Sequence, residues 1–478
     1  MIDKRAAGVL APIFSLPSGY SMGSFGRLAY SFVDFLKESG FSYWQVLPFT
    51  ATDPFHSPYA SPSSFSLNPF FVDLEDLYGR ELLTAEELSS AREEISYACE
   101  YERLEKERLA LLSRAASRFA DDAALDTFLA LHPYTEEYVR FEALKAANGG
   151  APWQAFTQDT PLRDVYRTYA FISYVFLEEW SRLHAYANER GISVIGDIPI
   201  YVSLDSADVY FHPSLFKLRE DGYPTGVAGV PPDYFSVDGQ LWGNPLYDWE
   251  KMKETGFSFW RARIRHMLSL FDGVRLDHFR GFDTYFDIPY GAPNAKGGVW
   301  RDGPRAPFID MLKEEAGDAL LIAEDLGELF PSVEALLDYS GFPGMRVFAF
   351  ALDGEDSPHI PYRYSHNTVA YSGTHDNNTL LGFLYELPAE KRLAYFRYCG
   401  YKGEDIREGC RAAMETLYAS HAGLIMLPIQ DLLLYGSDTR FNTPGRAEGN
   451  WKYRVSEEDL RLIDRCYFRT LSERYGRI

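Results

Sequence analysis

Cysteine is scarce in this chain. Only Cys99, Cys399, Cys410 and Cys466 occur among 478 residues, far apart and with no C-x-x-C. That excludes a disulfide framework and a thiolate zinc cluster, and leaves these residues as reduced, buried or inert thiols. Positive charge is also short. Lys and Arg number 47 against 69 Asp and Glu, a formal charge of −22, which excludes nucleic acid and anionic membranes as partners because both demand basic surfaces. Long hydrophobic runs are missing. No segment reaches the roughly 18 apolar residues that cross a bilayer, and the first apolar stretch is too short for a secretory signal, so a cytoplasmic location is expected. There is no H-E-x-x-H, no Cys/His group with zinc spacing, no G-x-G-x-x-G, no G-x-x-x-x-G-K-[ST] and no G-x-S-x-G. Neither a metal nor a nucleotide cofactor is expected.

Apolar and aromatic residues are plentiful. Hydrophobic residues make up 46% of the chain and aromatics 16%, enough for a large core without metals or disulfides. Short apolar runs alternate with amphipathic stretches throughout, the pattern of an α/β protein with a parallel sheet. Eight runs read as strands, at 8–14, 43–49, 193–200, 273–279, 319–326, 345–351, 369–373 and 423–428, the number a (β/α)8 TIM barrel needs. One barrel with long insertions then accounts for residues 1–478. Two intervals exceed a plain strand–helix unit. Residues 71–164 have helical periodicity and read as a helical insertion. Residues 203–256 are dense in Gly and Pro. They are expected to be irregular and to cover the site as a lid, since long loops in compact domains usually serve function.

Three apolar runs end in a carboxylate. Asp277 follows Phe271-Asp-Gly-Val-Arg-Leu, Glu324 follows Leu320-Leu-Ile-Ala, and Asp376 follows Val369-Ala-Tyr-Ser-Gly-Thr-His. A parallel barrel collects such endpoints at one rim. Two carboxyls and a third acid gathered there have the chemistry to cleave a glycosidic bond. Side chains alternate along a strand, so Arg275 and Asp277 share a face, and the guanidinium is placed to pair with the carboxylate that a nucleophile must be. Glu324 follows an apolar approach that disfavours its charged form, and repulsion from Asp277 adds to this. Two carboxyls held in unlike protonation states mark a nucleophile and a general acid. His375, Asp376, Asn377 and Asn378 place a donor, an acid and two amides at one strand end, suited to gripping vicinal hydroxyls. Each feature also has a structural alternative: an acid or a polar turn capping the next helix, or an Arg275–Asp277 ion pair inside the barrel.

The segments Val274-Arg-Leu-Asp-His-Phe-Arg-Gly281, Ala323-Glu-Asp-Leu-Gly327 and Ser372-Gly-Thr-His-Asp-Asn377 are accompanied by further motifs. These are Ser57-Pro-Tyr59, Gly196-Asp-Ile-Pro-Ile-Tyr-Val202, Gly229-Val-Pro-Pro-Asp-Tyr-Phe235, Gln240-Leu-Trp-Gly-Asn-Pro-Leu-Tyr247, and Phe441-Asn-Thr-Pro-Gly445 through Gly449-Asn-Trp451. Their joint order resembles the amylomaltases, the bacterial 4-α-glucanotransferases of glycoside hydrolase family 77. The likeness implies a (β/α)8 barrel without a C-terminal β-sandwich and a cofactor-free, retaining transfer of α-1,4-glucan segments. Maltooligosaccharides, amylose or starch and glycogen-derived glucans would be donors, and the 4-hydroxyl of a glucan or glucose the acceptor. It implies Asp277 as nucleophile, Glu324 as acid/base and Asp376 as transition-state stabiliser. Arg275, His278, Asp197, His375 and Tyr59 would line the donor subsite, with Ser57 and Asp325 also binding substrate. Trp242 and Asn442 would lie toward the acceptor. Tyr453 stands where a Trp is expected, Pro54 where a sugar-stacking aromatic is, and residues 71–164 carry no matching motif.

The residues alone leave two other functions open: a hydrolase with the same acids, and a non-catalytic glucan-binding barrel. What separates transfer from hydrolysis is the exclusion of water. Residues 225–235 are the expected gate, with Gly226 and Gly229 giving mobility and Pro231-Pro232 stiffening one end. Val227, Val230, Tyr234 and Phe235 would cover an acceptor sugar held on Trp242.

Overall fold

A strand buried on both faces is written as a continuous apolar run rather than an alternating one, and each of the eight such runs forms a strand. The computed structural model describes residues 2–232, 237–327, 329–354 and 356–478. Its strands are β1 (Ala6–Leu10), β2 (Tyr43–Gln45), β3 (Ser193–Ile198), β4 (Gly226–Val230), β5 (Gln240–Pro245), β6 (Gly273–Leu276), β7 (Thr284–Pro289), β8 (Val299–Asp302), β9 (Leu320–Ala323), β10 (Gly344–Val347), β11 (Thr368–Tyr371) and β12 (Leu424–Pro428). Eight of them close a parallel barrel in the order β1-β12-β11-β10-β9-β6-β3-β2. With β4, β5, β7 and β8 set aside, successive strands lie side by side in the barrel and β12 closes on β1, with helices such as Arg27–Glu38, Arg163–Glu189, Ser258–Leu270 and Ile406–Ala419 between them. This is the (β/α)8 barrel, and its closure puts the C-terminal ends of all eight strands on one rim.

Most of the aromatic content is packing. The helix Arg163–Glu189 is fixed to the barrel wall by Phe176 and Trp180. Trp180 meets Phe49 at 4.7 Å and Phe176 meets Phe25 at 4.8 Å, while Phe271 meets Phe49 at 4.7 Å, all near edge-to-face. Such pairs add about 0.5–1.5 kcal/mol each beyond area burial.

Residues 71–164 contain the helices Leu74–Gly79, Ala85–Ser90, Leu109–Arg118, Asp122–Leu131 and Pro133–Ala147. Their starts are set locally: Asp73, Thr84 and Asp121 each accept a backbone N–H of the first turn, and Thr84 with Glu87 forms a reciprocal capping box.

The described residues of 203–256 are not irregular. They hold the helices Ala207–Phe211 and Trp249–Glu254 and two strands, and β4 pairs antiparallel with both β5 and β7 in a four-stranded sheet of order β5-β4-β7-β8. Gly226 and Gly229 therefore serve close approach, not mobility. A Cβ at either would lie 2.1 Å from a neighbour, Asp287 Oδ1 or Gln240 O respectively. Tyr234 and Phe235 lie outside the described residues. Among the described residues no helix is long and apolar enough to cross a membrane.

Candidate active site

The barrel register brings the first polar pair together. Asp197 on β3 is the direct partner of Arg275 on β6, and in-register residues of parallel strands point to one face. Both are buried, and Arg275 Nη1 lies 2.9 and 2.8 Å from the two Asp197 oxygens. The same nitrogen stands 3.0 Å from Asp277 Oδ1, two residues further along and on the same side. Tyr59 reaches in from the loop after β2 and donates its hydroxyl to Asp197 Oδ2 at 2.7 Å. Burial and the Asp197 charge hold the Tyr59 hydroxyl well above the usual phenol range, so it stays a neutral donor.

Glu324 follows β9, which pairs with β6 in the barrel. Its carboxyl accepts two backbone N–H groups, from His278 at 2.8 Å and from Leu326 at 2.8 Å. Burial, with Asp277 nearby, pushes this carboxyl up to about 7 against the opposing pull of Arg275 and the two backbone donors. At neutral pH it is poised between acid and base.

Asp376, after β11, behaves oppositely. Burial alone would raise it, but His375 Nε2 at 3.3 Å and the Asn442 amide, which donates to Oδ1 at 2.6 Å, hold it well below the usual carboxylate range. Arg440 donates to its main-chain oxygen at 3.1 Å. His375 is itself raised because Asp376 favours its protonated form over the cost of burial. Its ring lies parallel to Tyr59, 5.1 Å away at 12°, and near Trp451 at 6.0 Å. Trp242 on β5 is half-exposed and stands edge-on to the ring of His278 at 4.9 Å and 86°. His278 is pushed down to about 4 by burial and so is neutral at pH 7.

One rim thus carries an Arg-paired carboxylate, a protonatable carboxyl and a third, firmly ionised acid, flanked by aromatic faces. A family model described as 4-alpha-glucanotransferase matches residues 11–460. The chain belongs to that family. The 4-alpha-glucanotransferase of Thermus thermophilus is 39% identical over 500 residues, covering 99% of each chain. That of Aquifex aeolicus is 39% identical over 472 residues, covering 95% of this chain and 96% of its own. The solved amylomaltase of Streptococcus agalactiae in complex with acarbose superposes with a TM-score of 0.95 at 35% identity, covering 99% of this chain and 100% of that one.

Within this 4-alpha-glucanotransferase, Tyr59, Asp197, Arg275, Asp277, His375, Asp376 and Asn442 are joined by the contacts above into one group and Glu324, His278 and Trp242 into a second, and the two meet at the Asp277–His278 peptide bond. Two other expected substrate contacts, Asp325 and Ser57, make hydrogen bonds within the protein. Asp325 lies just past the end of β9, next to Glu324. Its buried carboxylate accepts the Met345 N–H at 2.6 Å and the Arg346 guanidinium at 2.7 Å, and so braces β10. The Ser57 hydroxyl accepts the Tyr59 N–H at 3.3 Å and shapes the loop. Residues that the motifs do not single out also build the wall. Tyr101, from the helical interval, donates its hydroxyl to Trp451 O at 2.6 Å and stacks on His56 at 3.7 Å. It thereby joins the loops that carry Tyr59 and Trp451.

Proposed function

We propose that Asp277 attacks the anomeric carbon of a bound α-1,4-glucan while Glu324 protonates the departing 4-oxygen, leaving a covalent glycosyl–Asp277. Glu324, now a carboxylate, takes the proton from the 4-hydroxyl of an acceptor glucan or glucose, which displaces Asp277. Two inversions give net retention. Asp376, kept ionised by His375 and Asn442, faces the positive charge that develops at the sugar ring. Asp197, Tyr59 and His375 hold donor hydroxyls, and Trp242 with Asn442 lies on the acceptor side. The observation that carries this reading is the placement of the two acids at the ends of paired strands β6 and β9: Arg275 stands 3.0 Å from Asp277, while burial and Asp277 push Glu324 up to about 7.

Incubation with maltotriose tests the reading. Transfer yields glucose together with longer oligomers and little net gain of reducing ends. A steady rise in reducing ends would mean hydrolysis, and no change in either would leave a binding protein.

A further inference from the structure

Gln430 and Asp431 follow β12 in the short helix Ile429–Leu433 and belong to none of the motifs above. Both are buried, at 2% and 1% exposure. Among the described residues, no cation is a hydrogen-bond partner of Asp431. Its Oδ2 accepts the Ser372 hydroxyl at 2.6 Å and its Oδ1 accepts the Leu380 N–H at 2.8 Å. A buried carboxylate without a counter-charge costs free energy that an apolar residue of the same size avoids. Its presence points to a task that needs both acceptor oxygens. The two donors bound the segment 372–380, and that segment carries His375 and Asp376.

The preceding residue reaches the other side of the same acid. Gln430 Nε2 donates to Thr439 O at 2.9 Å. One residue on, Arg440 donates to Asp376 O at 3.1 Å, and Asn442 donates its amide to Asp376 Oδ1 at 2.6 Å and its backbone N–H to His375 O at 3.2 Å. Asp376 is held between two loops, and adjacent residues at the end of one barrel strand hold one loop each.

We propose that Gln430 and Asp431 are positioning residues for Asp376, Asp431 by pinning both ends of its loop and Gln430 by setting the loop that grips its carboxylate. The inference rests on the role given to Asp376 above. A displacement of about 1 Å in a catalytic group costs on the order of 10²-fold in rate. Asp431→Ala is therefore expected to lower kcat on maltotriose by about 10²-fold with KM changed less than about threefold, the pattern of an interaction made only in the transition state. Asp431→Asn keeps the shape and one acceptor oxygen, and is expected to recover at least about tenfold of that loss.

The decisive measurement is the same change in an Asp376→Asn background. Acting through Asp376, Asp431→Ala should cost less than about threefold there, because coupled residues are non-additive. An equal factor in both backgrounds overturns the proposal, as does Asp431→Ala within about twofold of the parent. Should Asp431→Ala fail to fold, Ser372→Ala removes one tie with little change of volume and is put through the same cycle. An Asp376→Asn protein as active as the parent would instead overturn the role of Asp376 itself, a result distinct from an additive cycle.

Discussion

The backbone N–H of His278 donates to Glu324 Oε2 at 2.8 Å, so the residue after Asp277 holds the second carboxyl of the pair. The Glu324 N–H donates to Leu276 O at 3.0 Å and the Phe279 N–H to Glu324 O at 3.0 Å, which stitches the ends of β6 and β9 around the two acids. His278 makes its bond from a left-handed conformation, φ 50°, which costs a non-glycine residue roughly 1–2 kcal/mol. A hydrogen bond to a carboxylate is strong enough to offset that. These backbone bonds fix Glu324 relative to the end of β6, and in the proposed mechanism the spacing of the two carboxyls selects the stereochemical outcome.

Replacing Glu324 by Gln should slow transfer from maltotriose far more than transfer from an α-glucosyl fluoride. Fluoride departs with little need of a proton, whereas a sugar 4-oxygen does not, and general acid catalysis contributes about 10²–10⁴-fold. Steady-state rates on the two donors check this. Equal losses would remove the acid role.

The pH dependence follows from the same group. Glu324, pushed up to about 7 by burial and by Asp277, must carry its proton in the first step of the proposed mechanism. Donor cleavage should be full below that value and fall as pH rises through it. Asp376 lies well below the usual carboxylate range and does not titrate there. A kcat/KM profile on maltotriose should show this basic limb, and the fluoride donor a much shallower one. The same limb on both donors would assign it to another group.

Asp277→Asn should lower transfer by about 10⁴-fold or more while glucan affinity changes little, because the amide keeps the shape of the nucleophile without its reactivity. Isothermal titration with a maltooligosaccharide and mass spectrometry of the trapped intermediate check the two halves separately. A covalent glycosyl adduct on the variant would move the nucleophile elsewhere.

Trp242→Ala addresses the competition between acceptor and solvent. Water at roughly 55 M captures the intermediate unless the protein holds the sugar at high effective molarity or keeps water out. Half-exposed beside His278, Trp242 offers the acceptor a flat apolar face. Its loss should raise the ratio of reducing ends to transfer product more than it lowers total donor cleavage. A fixed ratio with both activities reduced would deny it that task.

A stability prediction concerns Arg477, whose side chain is fully buried. Its guanidinium donates to Tyr418 O at 2.8 Å, Ala422 O at 2.9 Å, Ser420 O at 3.0 Å and Ala6 O at 3.1 Å. The Ala variant leaves these carbonyls without that donor and should lose about 3–5 kcal/mol of unfolding free energy. Urea titration measures the loss. The kcat of the folded variant at 25 °C should stay within about twofold, since none of these contacts involves the residues of the rim.

The barrel and its three acids are legible in the sequence because both depend on local properties of the chain. A doubly buried strand is a short apolar run bounded by Gly, Pro or charge, and a parallel barrel delivers the residue after each run to the same rim.

Other features wait for the tertiary structure. Gly226–Val230 carries two glycines in five residues, which by itself marks a loop. It becomes a strand because β5 and β7 approach on either side, and only glycine leaves room for them. The Tyr101 brace and the Asp431 clamp are likewise invisible in composition or spacing. Ser372 and Asp431 are 59 residues apart, Asn442 and Asp376 are 66 apart, and Tyr101 and Trp451 are 350 apart. Apolar periodicity is a property of the chain at each point along it. A hydrogen bond between distant residues exists only after closure of the barrel has brought both partners to one rim, and the positions of Asp376 and Tyr59 depend on such bonds.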